Sequence, residues 1–98
     1  SQFCKGKLIV DPGAITALQK QNKSLLPAGI TQVHGEFKRG DIVNICEGEK
    51  GKKIACGISN YSSSDIAIIK GSHSDRITEL LGHEYGAEVV HRDNLMVL

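Results

Sequence analysis

Glycine sets the grain of this chain: eleven of them are spread along it, from Gly6 to Gly86. Glycine turns freely and weakens helix and strand interiors, so this spacing suits many short elements joined by tight turns. The apolar runs in between favour Ile and Val, which fit a pleated surface. At 98 residues the chain makes one domain spanning 1–98 and does not comfortably hold two. A domain of this size buries roughly two thirds of the surface its unfolded form exposes, enough for one modest core.

Two helices are expected. Asp11-Pro12-Gly13 is a helix start: Asp can cap the free N–H groups, and Pro is tolerated in the first helical position. This helix should run to about Gln21 and bury Ile15 and Leu18, with Asn22 in the left-handed conformation that ends it. The second should be capped by Ser74-Asp75, carry Ile77, Leu80 and Leu81 on one face, and stop at Gly82.

Short strands are expected at residues 29–34, 41–46 and 53–60, and the apolar run 65–69 reads as another. Gly35 to Gly40 is a turn-rich connection, and residues 47–52 form a polar hairpin loop. After Glu88-Val89-Val90 and a polar corner at residues 91–94, the run Leu95-Met96-Val97-Leu98 is expected to be a strand buried inside the sheet. The fold class is therefore mainly β with two short helices, arranged as a small barrel or curled sheet with the helices at its rim.

Charge excludes a strongly electrostatic nucleic-acid binder, because 12 Lys and Arg face 11 Asp and Glu. Residues 1–53 hold nine basic and five acidic side chains, residues 54–98 three and six, which reads as two mildly different solvated faces. Cys4, Cys46 and Cys56 form no C-x-x-C pair and leave one thiol over in any pairing. With His34, His73, His83 and His91 they supply no zinc spacing, so the natural reading is reduced cytoplasmic thiols. No stretch approaches the roughly 20 apolar residues of a membrane span, and Ser1-Gln2-Phe3-Cys4-Lys5 does not read as a signal peptide.

No catalytic constellation stands out. A Walker phosphate loop, a G-x-S-x-G elbow, an H-E-x-x-H pair and a G-x-G-x-x-G turn are all missing. His73-Ser74-Asp75 names the residue types of a hydrolase triad, yet such triads are assembled from separate elements; a helix cap is the better reading. His91-Arg92-Asp93 matches a protein-kinase tripeptide without the rest of that machinery. Lys20, Lys23, Lys38 and Arg39 could contact phosphates, but the only aromatics are Phe3, Phe37, Tyr61 and Tyr85, few for base stacking. Phe37, set in a turn between apolar strands, is expected to plug the core.

Taken in order, Gly13-Ala14, Lys23-Ser24-Leu25-Leu26-Pro27-Ala28-Gly29-Ile30 and Gly35-Glu36-Phe37-Lys38-Arg39-Gly40-Asp41-Ile42-Val43 resemble a PUA domain, a small RNA-associated β-barrel module. Gly57-Ile58-Ser59-Asn60-Tyr61, Ile69-Lys70-Gly71, His73-Ser74-Asp75 and Val89-Val90-His91-Arg92-Asp93-Asn94-Leu95 bring the likeness closest to the C-terminal PUA domain of bacterial glutamate 5-kinases. It extends from about Gly6 to Leu98. The resemblance implies a pseudo-barrel of about five or six strands with helices outside it. It also implies that the chain is a fragment, preceded by an amino-acid-kinase domain that holds the ATP, magnesium and glutamate sites, in a cytoplasmic parent that forms homo-oligomers. No catalytic, metal or cofactor residue carries over to this chain. Its expected role is accessory, in regulation or assembly, with RNA binding as the alternative. For RNA, the resemblance points to the surface beside the first helix, the Gly29 turn and the last strand, and so to Lys20, Lys23, Gly29, Lys38, Arg39 and Arg92.

Overall fold

The computed structural model describes residues 3–98; Ser1 and Gln2, part of the expected leader-free start, lie outside the described residues. Five strands form one mixed sheet: β1 (Cys4–Val10), β2 (Ile30–His34), β3 (Ile42–Glu47), β4 (Lys52–Ile58) and β5 (Leu95–Val97), in the order β2-β1-β3-β4-β5. Strand β1 runs parallel to β3, and every other neighbouring pair is antiparallel. Three helices accompany the sheet: α1 (Pro12–Lys20), α2 (Ser63–Ile69) and α3 (Ile77–Leu81).

The mainly β class and the strand count agree with expectation, and three expected strands lie within a residue or two of β2, β3 and β4. Helix α1 begins and ends as its sequence requires. The Asp11 side chain accepts the Ala14 N–H at 2.8 Å, and Asn22 takes φ +51 just beyond the helix. The residue 47–52 loop is a hairpin closed by Gly51 N–H to the Gly48 carbonyl at 3.0 Å. Gly82, at φ +81, stops α3.

Four expectations need correction. The run 65–69 is not a strand but most of α2, so the described residues hold three α-helices rather than two. Ser62 starts it, its hydroxyl accepting the Asp65 N–H at 3.2 Å, and Ile66 and Ile69 face the core one turn apart. The second expected helix, α3, has no side-chain cap from Ser74-Asp75; a 3-10 turn, Ser74–Arg76, precedes it, and His73 caps that turn, its Nδ1 accepting the Asp75 N–H at 3.3 Å. The C-terminal run is an edge strand and not a buried one, with Met96 and Leu98 61% and 60% exposed. Finally, β1 lies near the sheet's centre, where no strand was expected, with Leu8, Ile9 and Val10 all buried.

The core lies between the sheet and the helices, built on Leu8, Ile30, Val43 and Ile45 from the strands and Leu18, Ile66, Ile69 and Ile77 from the helices. Phe37 plugs it as expected. Its ring lies against Gly6 of β1, where a Cβ would come within 2.6 Å of it, so only glycine lets the ring close on the strand. The three thiols are free, and Cys56 pairs across the sheet with Asn44 and not with Cys46.

Candidate nucleic-acid interface

Of the residues singled out for RNA, Lys23 and Gly29 line one hollow and Lys38 lines another. The first lies where the 3-10 turn Pro27–Gly29 crosses α1. The Asp11 N–H donates to the Gly29 carbonyl at 2.9 Å, which clamps the turn to the helix start. The Lys23 N–H returns to the Ala17 carbonyl at 3.1 Å and folds the chain back along α1. Between them opens a hollow of about 330 Å3, lined by Ala14, Ala17, Lys23, Leu26, Gly29 and Glu88 among others.

Lys20 stands in the last turn of α1, three residues before Lys23. Arg92 reaches the same side through the backbone. Leu25 bridges Val90, and the Arg92 N–H donates to the Ser24 hydroxyl at 2.9 Å. Lys20, Lys23, Gly29 and Arg92 thus surround one end of the molecule. Strand β5, expected to border this surface, pairs with β4 at the sheet edge. The floor of the hollow is mostly apolar, and Glu88 adds a negative charge to the wall that holds Lys23, which lowers the hollow's pull on a phosphate.

Lys38 and Arg39 sit elsewhere. Lys38 belongs to the turn before β3, its N–H donating to Asp41 Oδ2 at 2.8 Å, and it lines a second hollow with Lys5, Glu36, Asp41 and Ser62 to Ser64. Two carboxylates therefore share that hollow with its two lysines. The Arg39 guanidinium lies over the Tyr85 ring, 4.1 Å from its centre, a cation–π contact that already occupies its flat face. Tyr85 is itself held in place. Its N–H donates to the Tyr61 hydroxyl at 2.7 Å, and that hydroxyl donates to the Gly86 carbonyl at 2.6 Å. His83 closes the cluster, its ring centre 5.2 Å from that of Tyr85 and its Nε2 3.0 Å from Asp65.

Sequence reasoning missed both Glu88 beside Lys23 and Tyr85 beneath Arg39. Each pair is joined only by tertiary folding, so no spacing along the chain announces it. Two groups are shifted in pKa. Burial pushes the Tyr61 phenol up, opposed by the Tyr85 N–H it accepts, and burial pushes the Cys46 thiol up against the pull of Lys7 and Lys53. Neither shift makes a nucleophile. Among the described residues no group of three His, Cys, Asp or Glu converges on a metal position, and no helix is long and apolar enough to cross a membrane.

The PUA domain profile matches residues 6–81. The chain is 50% identical over 97 residues to the glutamate 5-kinase of Syntrophotalea carbinolica, covering 99% of this chain and 26% of that protein. It spans about a quarter of the length of the curated relatives it matches. Among solved structures, a PUA domain from Aeropyrum pernix K1, crystallised as a tartrate complex, is 28% identical with a TM-score of 0.63, covering 89% of this chain and 41% of that one. A chain of the archaeal box H/ACA sRNP Nop10-Cbf5 complex, 17% identical, shares the fold with a TM-score of 0.59 over 95% of this chain and 23% of its own. Residues 6–81 matched in one block, on a five-stranded sheet shared with solved PUA structures, place this chain in the PUA domain family.

Proposed function

We propose that this chain is the non-catalytic accessory domain of a glutamate 5-kinase, working in the regulation or assembly of that enzyme. The observation that carries the reading is 50% identity across 99% of the chain to a glutamate 5-kinase about four times as long. An amino-acid-kinase domain preceding this one would bind ATP, magnesium and glutamate, and would move the γ-phosphoryl group of ATP onto the side-chain carboxylate, leaving ADP. The residues here do not fit that task. The described residues offer no converging carboxylates for magnesium, and the glycine turn at Gly35 to Gly40 leads into β3 rather than a helix whose N-terminus could hold phosphate. No step of the transfer is assigned to them. A cytoplasmic, homo-oligomeric parent belongs to the same proposal, and three free thiols are in keeping with a reducing compartment.

The test is turnover by the complete polypeptide. ADP release that requires both glutamate and ATP supports the reading. A complete polypeptide that binds ATP but ignores glutamate contradicts it.

The groove between α1 and the Pro27–Gly29 turn favours a second reading, an RNA-binding module. Its support is Lys23 in the wall of the hollow, with Arg92 bound through its backbone to Ser24 of the same wall, and a fold shared with a chain of an sRNP complex. Against it stand Glu88 in the groove, Arg39 stacked on Tyr85, and Phe37 buried where it offers no platform to a base. The accessory role is therefore ranked first.

A further inference from the structure

The face of the sheet turned away from the core carries an apolar surface near one end. Ile42 and Ile58 stand opposite each other across β3 and β4, while their neighbours Val43 and Gly57 point into the core side. Cys56 and Met96 pair likewise across β4 and β5, on the same outward face. With Leu95 these side chains line a shallow hollow of about 280 Å3 whose one charged lining residue is Asp93. Ile42 and Ile58 are 39% and 40% exposed, and Met96 more so.

Single exposed apolar residues are ordinary, but a row across three strands marks an interaction surface.

We propose that this face docks the upstream part of the same polypeptide, the kinase domain of the reading above, on which this inference rests. Two observations select that occupant. Curated relatives are about four times as long as this chain, so most of such a polypeptide lies outside it. Strand β1 begins at the edge of the apolar surface, because Cys4 pairs with Ile42, which in turn pairs with Ile58; a polypeptide joined ahead of β1 is therefore tethered close to this face. A tethered partner is present at an effective concentration on the order of millimolar, so even a contact of ~0.1 mM intrinsic affinity stays closed about ten times more than open.

The experiment uses the complete polypeptide carrying Met96→Cys or, as a control, Lys50→Cys in the β3–β4 turn at the other end of these strands. Iodoacetamide labelling is followed peptide by peptide with mass spectrometry. The natural Cys56 of the unsubstituted polypeptide gives a readout that needs no engineered thiol. Met96→Cys should react about tenfold more slowly than Lys50→Cys, and Cys56 should gain a similar factor when Ile58→Lys undocks the face. Equal rates at the two engineered thiols would overturn the proposal. So would protection that fades on dilution, which gives the face to a second copy. Glutamate-dependent ADP release by the same preparation separates the two ideas. An active kinase with a freely reactive Met96→Cys defeats the docking alone; an inactive polypeptide removes the kinase domain as occupant and the proposal with it.

Discussion

Gly29 and Ala14 meet where the Pro27–Gly29 turn crosses α1, so closely that a Cβ on Gly29 would lie 2.7 Å from the Cβ of Ala14. That distance lies inside any tolerable carbon–carbon contact, and it fixes the groove's width from both sides. Gly29→Ala should destabilise the domain by about 1–3 kcal/mol, the usual cost of overpacking. Ala14→Gly in the same molecule should restore part of the loss, although glycine near a helix start carries its own penalty of up to about 1 kcal/mol. Urea denaturation of the single and double variants checks this. A Gly29→Ala domain as stable as the parent would mean that the turn slides away from α1.

The Tyr61 hydroxyl joins two backbone groups, accepting from Tyr85 and donating to Gly86. Tyr61→Phe leaves both without that partner and should cost about 1–3 kcal/mol. It should also loosen Tyr85 beneath Arg39, which amide hydrogen exchange at residues 84–86 would report as faster exchange. Unchanged exchange there, with unchanged stability, would show that the hydroxyl holds nothing in place.

Alkaline pH should weaken the fold. Tyr61 and Cys46 both have pKa values raised above their ordinary 10.0 and 9.0 by burial. Below those ordinary values both folded and unfolded chains keep the protons and stability is whole. As pH rises past them the unfolded chain ionises first, so stability falls until the folded values are passed. Melting temperatures taken between about pH 8 and 11 should decline, and Cys46→Ala should flatten the early part of the decline. A melting temperature that holds steady across that range would contradict the burial of both groups.

Much of this was legible along the chain, and the misses share a cause. Asp11, Pro12 and Asn22 act on their own backbone, so α1 could be read with its two ends. The residue 47–52 hairpin was equally local. In contrast, Asp65-Ile66-Ala67-Ile68-Ile69 is too short for its period to separate helix from strand, and its β-branched residues favoured the wrong one. The decisive signal was Ser62, three residues ahead of the Asp65 N–H it caps. Strand β1 begins Cys4-Lys5-Gly6-Lys7, a polar opening that hides its central place in the sheet. The C-terminal run was expected inside the sheet because it is apolar; its exposure reflects sheet order, which no local pattern encodes. At the groove, the basic residues were readable as types, but Glu88 and Tyr85 arrive from distant segments.

If RNA binds at all, Lys20, Lys23 and Arg92 should carry it, and the salt slope on single strands should be near −2, from about three phosphate contacts. Lys23→Ala and Arg92→Ala should each lower the slope, whereas Arg39→Ala should leave it unchanged because its guanidinium lies on Tyr85. Fluorescence anisotropy across a salt series decides. Sub-micromolar, sequence-selective binding at physiological salt, lost in Lys23→Ala, would put the RNA reading ahead of the accessory one.

The central claim is that this domain serves an ATP-dependent enzyme without handling ATP itself. Isothermal titration of the isolated domain with magnesium and ATP, in the presence of glutamate, tests it most directly. The expected result is dilution heat alone, with no glutamate-dependent ADP in the recovered sample. Saturable heat in the micromolar range, or ADP formed only when glutamate is present, would contradict it.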